Sequence, residues 1–399
     1  MFKNYTISWE VFYMFIQREI TDYVIKFSEF FPVLAILGPR QSGKTTLAQH
    51  IFKNYHYINL ENLDIREAAL LDPRGFLEKL LHFPGVIIDE FQNAPTLLSY
   101  MQVIVDREKR QGFFILTGSQ NFLMNQSISQ SLAGRVGILT LLPLSNSEIK
   151  NAGLQAKFSE NAIFKGCYPR IFEKNKLEPE YVYPSYIQTY IERDVRSIIK
   201  VSDLTLFKKF LGLCAARIGQ LLNISALATE CGMSMQTVNS WLSILQASYI
   251  IFLLQPYHNN FNKRLVKSSK LFFYDTGVVS SLLGIETVEQ LEQHYLRGSL
   301  FENFIIADIQ KQFFNRAKNP SIYFWRDSHG HEVDCIIEKG TTLIPIEIKA
   351  GMTFDKNFIK GLTYWQELSG KTNGMLIYGG DEELHIKDCD IQGWKNFKV

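Results

Sequence analysis

The run Gly38-Pro39-Arg40-Gln41-Ser42-Gly43-Lys44-Thr45 has the residue types and spacing to hold a chain of phosphates. Two glycines with four residues between them let the backbone close around an anion, and the amides of a following helix face it. Lys44 has the length to reach the β- and γ-phosphates, and the Thr45 hydroxyl is a hard ligand for Mg²⁺. Arg40 adds a second cation inside the loop, and Thr46 opens the helix-like segment Thr46–Phe52. ATP and Mg²⁺ are the ligands this pattern predicts.

Three further segments carry matching chemistry. Val86-Ile87-Ile88 ends in Asp89-Glu90, where Asp89 would hold Mg²⁺ through water and Glu90 would polarise the attacking water. Phe113–Leu116 ends in Thr117-Gly118-Ser119-Gln120, where Ser119 and Thr117 are both candidates to sense the γ-phosphate and Gln120 is a third, while an ordinary polar turn fits the same residues. Arg135 closes the segment Ser131–Arg135. It could complete a neighbouring copy's ATP site or its own, or be an ion-paired surface arginine.

A second constellation lies near the end of the chain. Asp334 sits in the strand-like run Glu332–Ile337, and Glu347-Ile348-Lys349 ends the next one. Alternation along two neighbouring strands would put Asp334 and Glu347 on one face, where they could share Mg²⁺ with the Ile348 carbonyl. Lys349 points the same way and could orient a water, and Glu302 would complete the carboxylate set from the helix-like run Phe301–Ile309. This set resembles the core of PD-(D/E)xK nucleases, with Val333 where the motif name has proline. A salt bridge left in an inactive fold, or a domain that binds without cutting, fits the same residues. His329 and His331 read as a solvated hairpin turn.

These residues need elements to position them. Continuous apolar runs such as Val33–Leu37, Val86–Ile88 and Phe113–Leu116 suit strands buried on both faces of a parallel sheet. Tyr57–Leu60 and Ile138–Leu142 read as further strands. After Pro143 the pattern turns helical, and Tyr186–Arg196 has an apolar face and a charged face. There Arg193 and Arg196 either point at the nucleotide or pair with carboxylates. Asn223–Val238 reads as helix, turn at Gly232, N-cap at Ser234 and second helix, a helix-turn-helix packed through Leu227, Ala228, Val238, Trp241, Leu242 and Leu245. Tyr249–Leu254 and Leu271–Tyr274 would form wing strands. Gln236, Asn239 and Ser240 could touch base edges, and Lys263, Arg264, Lys267 and Lys270 could meet phosphates. Packing without DNA contact is the competing reading of this segment.

Composition sets outer bounds. The 399 residues are too many for one small core, and 46% hydrophobic with 21% charged is ordinary for a globular chain. A net charge of +2 does not announce a whole-chain polyanion binder. The five cysteines are scattered without CxxC spacing, which fits a reducing compartment and no zinc site. No run is long and apolar enough for a membrane helix, so a cytoplasmic protein without membrane contact is expected.

The motifs GPRQSGKTTL, VIIDEFQNAP, FILTGSQ, SLAGRV and LLPLSNSE occur in that order, followed by GCYPR, YIERDVR and FYDTGV. The ordered set resembles the bacterial and archaeal AAA-type P-loop ATPases that carry the C-terminal domain of unknown function 4143. The likeness runs from about Gln17 onward, and since members open with a short charged helix ahead of the first strand, it implies that Met14–Ile20 is that opening, with Met14 the expected start and Met1–Tyr13 an extension. It implies an α/β fold: a P-loop parallel sheet with a helical lid over residues 1–200, a winged-helix segment over 201–290, and a restriction-endonuclease-like domain over 291–399. It also implies an ATPase whose nucleotide state controls a DNA-binding C-terminal half that could carry nuclease activity. The alternative is a non-catalytic switch or protein-binding module. Arg135 acting between copies would imply a homo-oligomer.

Overall fold

The computed structural model describes residues 15–119, 131–173, 177–191, 204–257, 266–386 and 388–399. Gln120, the charged residues Glu192–Arg196, Lys263, Arg264 and the stretch through Met14 lie outside them.

Five strands form one parallel sheet in the order β2-β3-β4-β1-β5: β1 Val33–Leu37, β2 His56–Asn59, β3 Val86–Asp89, β4 Phe114–Gly118 and β5 Val136–Thr140. Every residue of β1, β3 and β4 is buried, as continuous apolar runs require when helices cover both faces. Parallel pairing brings all the strand C-termini to one edge. Leu37 lies beside Gly118 and Asp89 beside Thr117, so the phosphate loop, the acidic pair and the polar cluster meet there. β5 starts two residues before the segment expected from the sequence.

The helical stretch behaves as its capping residues dictate. Asn223 caps Ile224–Cys231 through the amide of Ala226 at 3.0 Å, and Ser234 caps Met235–Ala247 through Thr237 at 3.0 Å. Gly232 between them has φ +72°, a left-handed turn that suits glycine. The six residues expected to pack this pair are all buried, and Trp241 stands edge-on to Phe207 and Phe210 at 5.3 Å each.

The expected wing strands do pair. β6 (Ile251–Pro256) runs antiparallel to β7 (Lys270–Phe273), but β6 also pairs in parallel with β8 (Ile322–Arg326). The pairing with β8 is short, Gln255 beside Tyr323 and Pro256 beside Phe324, and the Tyr257 amide extends it to the Phe324 carbonyl at 2.7 Å. The result is a mixed eight-stranded sheet, β12-β13-β11-β10-β9-β8-β6-β7, with β9 Glu332–Lys339, β10 Thr342–Lys349, β11 Gly374–Tyr378, β12 Leu384–Ile386 and β13 Cys389–Gly393. The helix Arg297–Asn315 lies against it, and one apolar core runs from Leu142 through to Val399. The segments read as winged helix and C-terminal domain thus share a sheet and a core. Among the described residues no helix is long and apolar enough to cross a membrane.

Candidate functional site

The phosphate loop closes against the end of β5. A Cβ on Gly38 would lie 2.1 Å from the Leu141 carbonyl oxygen, so only glycine allows this approach. Gly43, at φ +91°, turns the chain into the helix Lys44–Ile51. Lys44 donates to the Pro39 carbonyl at 2.8 Å, which folds its ammonium over the loop. The cleft in front has a volume of about 620 Å³ and is bounded by the loop, by Glu90 and by Pro169–Glu173.

Asp89 is the hub behind this cleft. It is buried and accepts Thr45 Oγ1 at 3.0 Å, Tyr57 OH at 2.9 Å and the Thr117 hydroxyl. Thr45 and Asp89 thus set hard oxygen donors side by side, the donor set Mg²⁺ favours, and these two residues would hold it. Bound there, Mg²⁺ would supply charge neutralisation to the phosphates.

Glu90 adopts a left-handed backbone, φ +52° and ψ +42°, unusual for a residue with a Cβ. Burial pushes its carboxyl above the ordinary range, and the cations of Lys44 and Arg40 partly oppose this. Gln92 donates to the Glu90 carboxylate and to Ser119 Oγ at 3.1 Å. Ser119 is therefore linked to Glu90, and Thr117 to Asp89. Arg40 makes a 3.5 Å ion pair with Glu61 at the cleft mouth.

Three arginines behave differently. Arg135 precedes β5, so it stands at the edge of the sheet opposite the phosphate loop, roughly 16 Å away along a five-residue strand. It is locked to Asp106 by two bonds of 2.6 and 2.9 Å. This placement sets it apart from its own nucleotide and gives it the carboxylate partner expected of an ion-paired surface arginine. Arg170, from GCYPR, lines the cleft, a place the sequence did not show. Arg18 was also missed. It is 4% exposed, donates to the Ser42 carbonyl of the loop at 2.8 Å and to Leu142 O at 2.7 Å, and pairs with Glu148 at 3.0 Å.

The segment Arg18 grips leads into the C-terminal half. The Asn146 amide donates to Asp308 at 2.6 Å, Lys311 donates to Leu144 O at 3.1 Å, and Asn146 Nδ2 reaches Trp394 O at 2.9 Å. Asp308 and Lys311 lie on the helix Arg297–Asn315. The phosphate loop and that helix are thus three polar contacts apart, through Arg18 and the 142–148 segment.

The second constellation assembles with additions. β9 and β10 are antiparallel, and Asp334 accepts the Ile348 amide at 2.8 Å. Lys349 donates to Glu347 at 2.5 Å and to Asp334 at 3.4 Å. Glu302 and Asp334 come together with Glu332, which the sequence reading passed over, and ligand oxygens of these three lie within 4.8 Å of one another. Glu347 is buried beside them, and burial with the Asp334 charge holds its carboxyl above the usual range.

Lys270 is a correction. Expected at phosphates on the surface, it is 2% exposed, with its ammonium bonded to Glu302 at 2.9 Å and to Glu332. Its β7 position faces the C-terminal sheet, and burial there demands carboxylate partners. The ammonium takes one oxygen of Glu302 and one of Glu332, while Glu347 Oε2 is buried without a hydrogen-bond partner. Lys267 is exposed, as expected of a basic wing. His331 pairs with Asp327 at 3.0 Å, in the turn expected.

A glycine loop on a five-stranded parallel sheet, with Thr45, Asp89 and Glu90 around one cleft, defines a P-loop ATPase domain of the AAA type. Residues 31–150 match the AAA domain, 156–289 match a domain of unknown function (DUF8612), and 297–397 match a domain of unknown function (DUF4143). The chain is 30% identical over 326 residues to the uncharacterized protein Rv2008c of Mycobacterium tuberculosis, covering 81% of this chain and 71% of that protein. The uncharacterized protein Mb2031c of Mycobacterium bovis matches equally. The chain belongs to this family of AAA-domain ATPases with the C-terminal domain 4143. Among solved structures it resembles a Walker-type ATPase of Pyrococcus abyssi at 14% identity and TM-score 0.45, covering 67% of this chain and 96% of that one. It also resembles the RuvB Holliday junction branch migration motor of Thermotoga maritima at 16% identity and TM-score 0.29, covering 58% and 88%.

Proposed function

We propose that the chain is a Mg²⁺-dependent ATPase and that its nucleotide state sets the arrangement of a C-terminal half that binds a partner without cutting it. Hydrolysis rests on Thr45, Asp89 and Glu90 meeting at one cleft beside Lys44. The route to the C-terminal half is the short polar path from Ser42 through Arg18 and the 142–148 segment to Asp308. DNA is the partner favoured by the exposed Gln236, Asn239 and Ser240 on a capped second helix of a helix-turn-helix. One reaction tests these parts together. Phosphate release is expected to need Mg²⁺ and to rise with added plasmid, while the plasmid stays intact on a gel. Release that persists in EDTA refutes the Mg²⁺ dependence, and release that persists in Lys44→Ala refutes the ATPase reading. Nicking lost in Asp334→Ala/Lys349→Ala refutes the non-cutting reading.

Arg135 acts in this proposal only between copies. Arg135→Ala is then expected to lower turnover by at least about 10³-fold, the scale of an arginine finger. Mixing it with inactive Lys44→Ala should restore part of the activity, because mixed neighbours combine an intact loop with an intact arginine. An active monomer, or a mixture as dead as its parts, argues against a shared site.

A further inference from the structure

Four carboxylates meet between β9, β10 and the helix Arg297–Asn315, and two ammonium groups bond to all four, although Glu347 Oε2 is buried without a partner. Lys349 bridges Glu347 and Asp334, and Lys270 bridges Glu302 and Glu332. Lys349 is the lysine of the E-x-K motif and stands partly open to solvent. Lys270 comes from β7, far outside the motif, and its side chain is 3% exposed. Arg326 adds a third cation, 3.0 Å from the other oxygen of Glu332.

The walls are close as well. A Cβ on Gly219, in the segment bridged to β7, would lie 3.1 Å from Glu302 Oε2. A Cβ on Gly361 would lie 2.9 Å from Glu347 Oε2 and 2.9 Å from the Glu332 carbonyl. Backbone therefore packs directly on two of the carboxylates. Mg²⁺ and Mn²⁺ keep several waters and demand near-octahedral room, whereas an ammonium needs only three acceptors.

We infer that Lys270 is a built-in cation that replaces a divalent metal in the C-terminal carboxylate cluster. It fastens β7, and with it the helix-turn-helix segment, to the nuclease-like sheet. This rests on the reading that the C-terminal half does not cut. It goes beyond that reading by naming the residue that excludes the metal. It also gives the cluster a job, which is to tie the candidate DNA-facing segment to the helix Arg297–Asn315 through Glu302.

The test titrates Mn²⁺ alone into nucleotide-free full-length protein and follows binding by electron paramagnetic resonance and calorimetry. Asp334→Asn separates this site from any binding at the phosphate loop. Wild type is expected to show no Asp334-dependent binding at about 1 mM Mn²⁺. Lys270→Met is expected to gain such binding, at least about tenfold tighter, and Lys270→Arg, which keeps the charge, should not gain it. An Asp334-dependent rise of the melting temperature with Mn²⁺ should appear in Lys270→Met and be absent from wild type. Asp334-dependent binding in wild type overturns the inference by itself, even if Lys270→Met does not fold. A folded Lys270→Met without gained binding overturns it too. Plasmid nicking by wild type speaks instead against the non-cutting reading, so the two failures are distinct.

Discussion

Glu90→Gln is expected to lower ATP turnover by about 10²–10⁴-fold while ATP binding stays within a few-fold of wild type. The amide keeps the shape of the carboxylate and its place at the cleft but cannot accept a proton. Phosphate contacts from the loop amides and Lys44 do not pass through it, so affinity should survive. A stoichiometric ATP complex that turns over slowly is the predicted product, measured by filter binding beside phosphate release. Loss of binding equal to loss of turnover would show that Glu90 positions nucleotide rather than activating water. The same carboxylate should set the acid limb of the rate profile. Burial raises its pKa, so the limb belongs above the ordinary glutamate range. Arg40 opposes that rise, and Arg40→Ala should therefore move the limb to still higher pH. A shift to lower pH would mean that another group titrates.

The ATP site was legible because its parts are local. A buried parallel strand writes itself as an apolar run, and the functional residue follows at its C-terminal end: Gly38 after Leu37, Asp89 after Val86–Ile88, Thr117 after Phe113–Leu116. Tyr57 on Asp89 and Gln92 on Glu90 were not legible, since neither carries a spacing that betrays its partner. Arg18 and Glu148 are 130 residues apart, and nothing short-range connects them. Lys270 misled for a clear reason. In sequence it sits among Lys263, Arg264 and Lys267, which looks like a solvated basic wing. β7 is instead the last strand of a sheet shared with the nuclease-like half, and its lysine is drawn in by Glu302 and Glu332. Arg135 shows the opposite case. Its motif position was readable, but the direction of a parallel strand decides which edge it occupies, and that edge faces away from its own phosphate loop.

Arg18→Met should destabilise the protein by about 3–5 kcal/mol, the cost of leaving a buried charge without its partner. Glu148 has no exposed side-chain surface, and its remaining donors are the amides of Glu19 and Ser145, each at 2.8 Å. The Ser42 and Leu142 carbonyls also lose the guanidinium. Removing both charges together, Arg18→Met with Glu148→Met, should cost less than Arg18→Met alone, because no unpaired charge remains. The comparison separates the ion pair from simple packing. If the single variant loses under about 1 kcal/mol in urea unfolding, solvent reaches Glu148 and the pair is not structural. Since Ser42 belongs to the phosphate loop, ATP should recover stability in wild type more than in Arg18→Met. The gain follows the ratio of ligand concentration to dissociation constant, and a disordered loop weakens that constant. Equal recovery would leave Arg18 as a strut for the 142–148 segment alone. Unequal recovery would make it the residue through which an occupied phosphate loop is felt at Asp308 and the helix that carries it.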